Sequence, residues 1–135
     1  TTMDHTSTDG TSSELYRGIM YGTSTGVFNG KVFVRPDAQR TNAFQQNTNI
    51  VADRGASINA KPELEIYADD VKCAHGCTVG QFDLDALFYL KSRGIDEKAA
   101  KALLVEAFLA DVISNVPSTE LREEIMKIYT ERHGW

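Results

Sequence analysis

From Leu15 to Val79 the apolar residues arrive in short bursts, LYRGIMYG, GVFNGKVFV, TNIVAD, LEIYADDVKC and CTVG. Each is rich in Val, Ile, Phe, Tyr and Thr, is bounded by Gly, Asn or Asp, and is too short for a stable helix, so each predicts a strand. In GKVFVRP, Val32, Phe33 and Val34 leave almost no polar face, and Pro36 stops the run. The central bursts recur irregularly, at Val32, Ile50 and Ile66, loosely like the coils of a parallel β-solenoid. An antiparallel sandwich suits the same pattern nearly as well.

After Gly80 the period becomes helical. Asp83 is a good N-cap, Leu84, Leu87 and Phe88 fall on one face, and Gly94 follows Lys91 and Arg93 as a C-terminal stop. Asp96 caps a second helix in which Ala100, Leu103, Leu104, Ala107 and Phe108 repeat at helical spacing. Pro117 and Ser118 open a third, with Leu121, Ile125 and Ile128 as its expected buried stripe, and the chain closes on ERHGW. The pattern predicts an all-β segment over 1–81 and a three-helix segment over 82–135.

Composition narrows the function classes. The chain is 24% charged and 41% hydrophobic, values ordinary for a soluble protein, and no apolar run approaches the roughly 20 residues that span a bilayer. A formal net charge of -5 argues against a broad grip on phosphates, so neither nucleic acid nor membrane is an expected partner. The opening TTMDHTSTDG has neither the basic start nor the apolar stretch of a signal peptide and lacks an initiator Met; the expectation is a piece of a longer, cytoplasmic protein.

The densest candidate chemistry is VKCAHGCTVG, which holds both cysteines and one of the three histidines. In an extended strand Cys73, His75 and Cys77 point to one face. Cys73 and Cys77 then stand about 13 Å apart at Cα, beyond the roughly 7 Å a disulfide can bridge. Thiolates and imidazole suit zinc and iron-sulfur chemistry, but parallel side chains on one strand cannot surround an ion, so a partner strand or subunit must complete such a site. The alternatives are that the thiols are small packed hydrophobes, or that a Cys-His pair acts as a nucleophile. Elsewhere, Asp69 and Asp70 read as a solvated turn, GTSTGVFNGK lacks the spacing of a phosphate loop, Arg17, Arg35, Arg40 and Arg54 read as surface, and His5 and His133 are expected to have no chemical role.

The string DVKCAHGCTVG, preceded by KPELEIYAD and followed by QFDLDALFYLKSRGI, closely resembles the SufB/SufD family of iron-sulfur cluster assembly proteins, the SufD branch in particular. DAQRTNAFQQNTNIV and AAKALLVEAFLADVI resemble further segments of that family. The resemblance covers about Tyr16 to Ile128. It implies a mainly β fold with α: the last coils of a right-handed parallel β-helix, then a small C-terminal helical domain. It implies a scaffold and no enzyme, one that pairs with a SufB-like protein through its C-terminal β-helix strands and with a SufC-like ABC ATPase through its helical domain. Cys73 falls on the family's motif cysteine and His75 on its motif histidine, which implies roles at the interface, holding iron or a nascent iron-sulfur cluster only transiently. Cys77 departs from the HGAT of many relatives, and packing is its expected role, with ligation the alternative. Rival expectations are a β-solenoid enzyme, an acyltransferase or lyase, using His75 as general base, and a purely structural interaction module; an unpaired last coil also invites a homodimer of the isolated chain.

Overall fold

The structure is a computed structural model that describes residues 1–133, so Gly134, Trp135 and the side chain of His133, expected to close the helical segment, lie outside the described residues. The chain divides into two compact units, Thr1–Gly80 and a second that begins at Gln81.

The first unit holds six strands: β1 (Thr2–His5), β2 (Thr11–Met20), β3 (Thr25–Val34), β4 (Asn42–Val51), β5 (Ser57–Ile66) and β6 (Lys72–Gly80). They form two three-stranded sheets in the orders β1-β3-β5 and β2-β4-β6, and every pairing is parallel. Successive strands alternate between the sheets, so the chain winds rather than folding back on itself. This decides against the antiparallel sandwich. The burst spacing seen at Val32, Ile50 and Ile66 is that of neighbouring strands in opposite sheets; the stacked pairs are one step further on, Val32 with Leu64 and Val34 with Ile66.

The strand boundaries differ from the sequence pattern in several places: β2, β4 and β5 begin at Thr11, Asn42 and Ser57, ahead of the bursts LYRGIMYG, TNIVAD and LEIYADDVKC. LEIYADDVKC is two strands, because Tyr67 to Val71 form the bend between β5 and β6, and VKC and CTVG join into the single strand β6. The pattern also gave no signal for β1, whose residues TMDH are mostly polar. Register supplies what apolar content does not: Met3 pairs with Val32 and His5 with Val34, and His5, 8% exposed, shares a 2.9 Å hydrogen bond between its Nε2 and Ser12 Oγ.

Inward-facing residues divide the interior into two zones. Near the bends, Val32, Val34, Ala38, Ala43 and Ala68 form the apolar core, with Met3, Leu64, Val71 and Cys73 packed against it. Along β4 the inward positions are instead Gln45, Asn47 and Asn49, all buried. Bidentate ion pairs tie one winding to the next at the surface, Arg35 with Asp4 at 3.0 and 2.9 Å and Arg40 with Asp9 at 2.6 Å for both contacts. Asp9 and Arg40 both adopt a φ of 60°, the same left-handed corner repeated one winding later.

The second unit holds α1 (Leu84–Ser92), α2 (Glu97–Ile113) and α3 (Thr119–His133). Their termini follow the sequence signals. Asp83 accepts from the backbone N–H groups of Asp85 and Ala86, Asp96 from that of Ala99, and Ser118 Oγ from that of Leu121. Gly94, at φ 86°, lets the last turn of α1 close through Gly94 N–H to Lys91 O and Ile95 N–H to Leu90 O. The expected stripes are less well buried than periodicity suggests. In α2 the fully buried residues are Ala100 and Val105, while Leu103 is 44% exposed; in α3 Leu121 and Ile128 remain 51% and 43% exposed. Three short helices have too little facing surface to cover every apolar residue they carry.

Candidate functional site

β6 is the last strand of its sheet and pairs on one side only, with β4. In that register Cys73 lies beside Ala43, His75 beside Gln45 and Cys77 beside Asn47. One strand further, β2 places Ser12, Glu14 and Tyr16 beside the same three β4 residues. The inward alternation of β4 therefore carries Cys73, His75 and Cys77 onto the inner face of the strand that ends the sheet. Sequence reasoning put these three on one face, and they are on one face.

Their environments differ. Cys73 is half-buried against the apolar core, and burial raises its thiol pKa above the ordinary value, with a backbone hydrogen bond at Ala43 opposing the shift. The protonated thiol is thus its resting form, which disfavours an unaided nucleophile. Cys77 is also half-buried, and its Sγ donates to Asn47 Oδ1 at 3.6 Å. His75 is exposed. Among the described residues, no three His, Cys, Asp or Glu side chains converge closely enough to hold a metal ion. Side chains on one face of a single strand point in parallel, so the row does not enclose an ion by itself.

Beneath the row lies a polar interior that sequence reasoning did not single out. Gln45 is 2% exposed and is among the largest fully buried side chains. Its Nε2 donates to Glu14 Oε1 at 3.4 Å, and its Oε1 has no protein partner. Asn49 Nδ2 donates to Asn47 Oδ1 at 2.6 Å and to the Thr78 carbonyl of β6 at 3.3 Å. The available signal was the alternation Gln45, Asn47, Asn49 in AFQQNTNIV, which reads as a solvated face until the winding turns it inward.

In the helical unit, Leu103, Ala107, Ala110, Ile113 and Met126 line a groove of about 500 Å³ between α2 and α3, with Glu106 and Arg122 at its sides. Leu84, Phe88 and Tyr89 of α1 are 70%, 74% and 57% exposed. No helix among the described residues is long and apolar enough to cross a membrane.

The structure defines a class by its fold: a winding of parallel strands in two sheets, with a thiol and imidazole row on the open last strand, and a separate unit of three helices. Residues 1–108 match the family described as SUF system FeS cluster assembly, SufBD core domain, and the chain belongs to the SufB/SufD family of iron-sulfur cluster assembly proteins. It is 43% identical over 113 residues to an iron-sulfur cluster assembly SufBD family protein of Synechocystis sp., covering 84% of this chain and 25% of that one. It is 37% identical over 115 residues to the iron-sulfur cluster assembly protein SufD of Escherichia coli, covering 85% and 27%. It is 39% identical over 116 residues to the chloroplastic protein ABCI7 of Arabidopsis thaliana, covering 85% and 24%. The chain thus spans about a quarter of the length of these relatives.

Proposed function

We propose that this chain is the C-terminal part of a SufD-like scaffold, the last coils of a right-handed parallel β-helix with its helical domain, working in the cytoplasm without catalytic activity of its own. The open edge of β6 pairs with a SufB-like protein. The exposed apolar surface of the helices receives a SufC-like ATPase, which supplies ATP hydrolysis. Cys73 and His75 meet donor groups of the SufB-like partner, and together they hold iron or the nascent cluster, the cargo of the reaction, for transfer onward. Closure of the ATPase pair strains the interface and opens the row to incoming iron and sulfur.

The observation that carries this reading is the placement of His75 on the inner face of an edge strand, exposed and one register step above a buried polar column. The half-burial of both thiols favours a second reading for Cys77, a packed small side chain with no ligand role. One experiment separates the roles. Anaerobic cluster reconstitution of the full-length protein with its SufB-like and SufC-like partners, read by visible absorption, is expected to lose its signal with His75→Ala and keep it with Cys77→Ala, while complex formation and ATP hydrolysis persist in both. A normal cluster yield from His75→Ala sinks the assembly role and leaves an interaction module.

A further inference from the structure

The two halves of β6 are held differently. In the first half, Cys73 packs against the apolar core. From Gly76 onward the strand is exposed at every position except Cys77, and Gly76 and Gly80 have no side chain to pack. β6 also pairs on one side only, and a segment with few buried apolar contacts is the kind that opens locally. What reaches this half instead is a pair of buried amides on β4, Asn47 and Asn49, which are 3% and 2% exposed. Asn49 Nδ2 donates to the Thr78 carbonyl at 3.3 Å and to Asn47 Oδ1 at 2.6 Å, and Cys77 Sγ donates to that same Oδ1 at 3.6 Å. Chemistry sets the orientation of both amides. A backbone carbonyl can only accept, so Asn49 turns its NH2 to Thr78, and the atom that the NH2 also meets on Asn47 is the oxygen. β2 makes room by omission: a Cβ on Gly18, the register partner of Asn49, would collide with Asn49 Oδ1.

We propose that Asn47 and Asn49 are positioning residues for the open edge. They fasten Cys77 and Thr78 to β4, so that the second half of β6 is formed before any partner strand arrives. Lys72 N–H donates to Thr41 O at 2.9 Å, and backbone groups alternate sides along a strand. Ala74, Gly76 and Thr78 therefore turn theirs to β4, while His75, Cys77 and Val79 present theirs at the open edge. Fixing Thr78 fixes the groups on either side of it that an added strand would bond. An edge already ordered spares the incoming strand that ordering cost, which raises affinity without any new contact. This inference rests on the reading of β6 as the strand that pairs with the SufB-like protein, but its first test does not.

That test is amide hydrogen exchange in the full-length protein without partners, resolved to single residues of β6. Asn49→Leu, which keeps a similar shape and removes both donors, is expected to speed exchange at Gly76 and Thr78 by about tenfold or more, with Ala74 near wild type. Cys77→Ala should speed exchange at Thr78 by about threefold, whereas Cys77→Ser, which still donates to Asn47, keeps the wild-type rate. Unchanged exchange at Thr78 in folded Asn49→Leu overturns the proposal. So does an equal acceleration through β3 and β4, which marks a general loss of stability rather than a local hold. If Asn49→Leu fails to fold, the contrast between Cys77→Ala and Cys77→Ser decides it, and equal rates at Thr78 overturn it. Capture of the SufB-like partner should then weaken on the order of tenfold in Asn49→Leu. A local acceleration alongside undiminished capture would leave the positioning intact and remove β6 as the partner's edge.

Discussion

At the scale of single residues, environment separates side chains that spacing treats alike. Cys73 and Cys77 occupy equivalent inward positions, yet the first borders the apolar core and the second bonds Asn47 in the polar zone. A row of same-face residues was legible in VKCAHGCTVG because strand alternation is a local property; which thiol meets hydrocarbon and which meets an amide depends on residues about 30 positions away, Cys77 and Asn47 being 30 apart. The clearest titration is in the helices. Hydrogen bonds from Lys101 and then Lys91 lower the Glu97 carboxyl from its ordinary 4.5 to about 2. Because the folded value is depressed, the contribution is complete above pH 4.5 and fades as pH falls from there toward about 2. Thermal melts across that window should show a loss of helical stability in the wild type that salt reduces and that Glu97→Gln lacks; identical pH profiles would contradict the assignment. All three groups are at the surface, so the effect is small.

At the scale of elements, the two last strands contrast. β5 ends its sheet carrying Lys61, Pro62, Glu63 and Glu65, and charge and proline on an edge strand are the usual guards against pairing. β6 ends the other sheet with Lys72 as its one Lys, Arg, Asp or Glu. The unguarded edge is therefore the one that bears His75, and a partner strand added there would face the row directly. Gly76 offers a direct probe, since a Cβ at that position meets nothing within 4 Å and its φ is not in the left-handed region. Gly76→Glu is expected to leave the melting temperature nearly unchanged while reducing capture of the SufB-like partner by about tenfold or more, since it gives this edge the kind of charge that guards β5. Capture at wild-type strength would move the interface elsewhere. The strand bursts were legible as strands from composition, but β1 was not, because its residues are recruited by register with β3 rather than by their own propensity.

At the scale of the whole molecule, the proposed function gives each of the two units its own partner. In the helical unit, Leu103 lines the α2–α3 groove and is 44% exposed, so Leu103→Asp should be tolerated by the fold. It is expected to weaken pull-down of the SufC-like ATPase by about tenfold or more and to leave pairing with the SufB-like partner unchanged. Loss of both partners together would show that the two surfaces are not independent. The helix caps, Asp83, Asp96, Ser118 and Gly94, were all readable in advance, because a cap is decided within four residues. The buried stripes were not, since which face of a helix is covered depends on what lies against it.

The sequence by itself determined the local facts: where strands give way to helices, where each helix starts and where α1 stops, that Cys73, His75 and Cys77 share a face, and, through an extended motif, the family. Those are set by alternation, capping and residue identity over spans of a few positions. Only the tertiary structure decided that the strands pair in parallel across two sheets, that Gln45, Asn47 and Asn49 turn inward, and that Glu14, Gln45 and His75 align into one column. Glu14 and Gln45 are 31 residues apart, and nothing in either local stretch records the other. Their meeting is fixed by the length of one full winding.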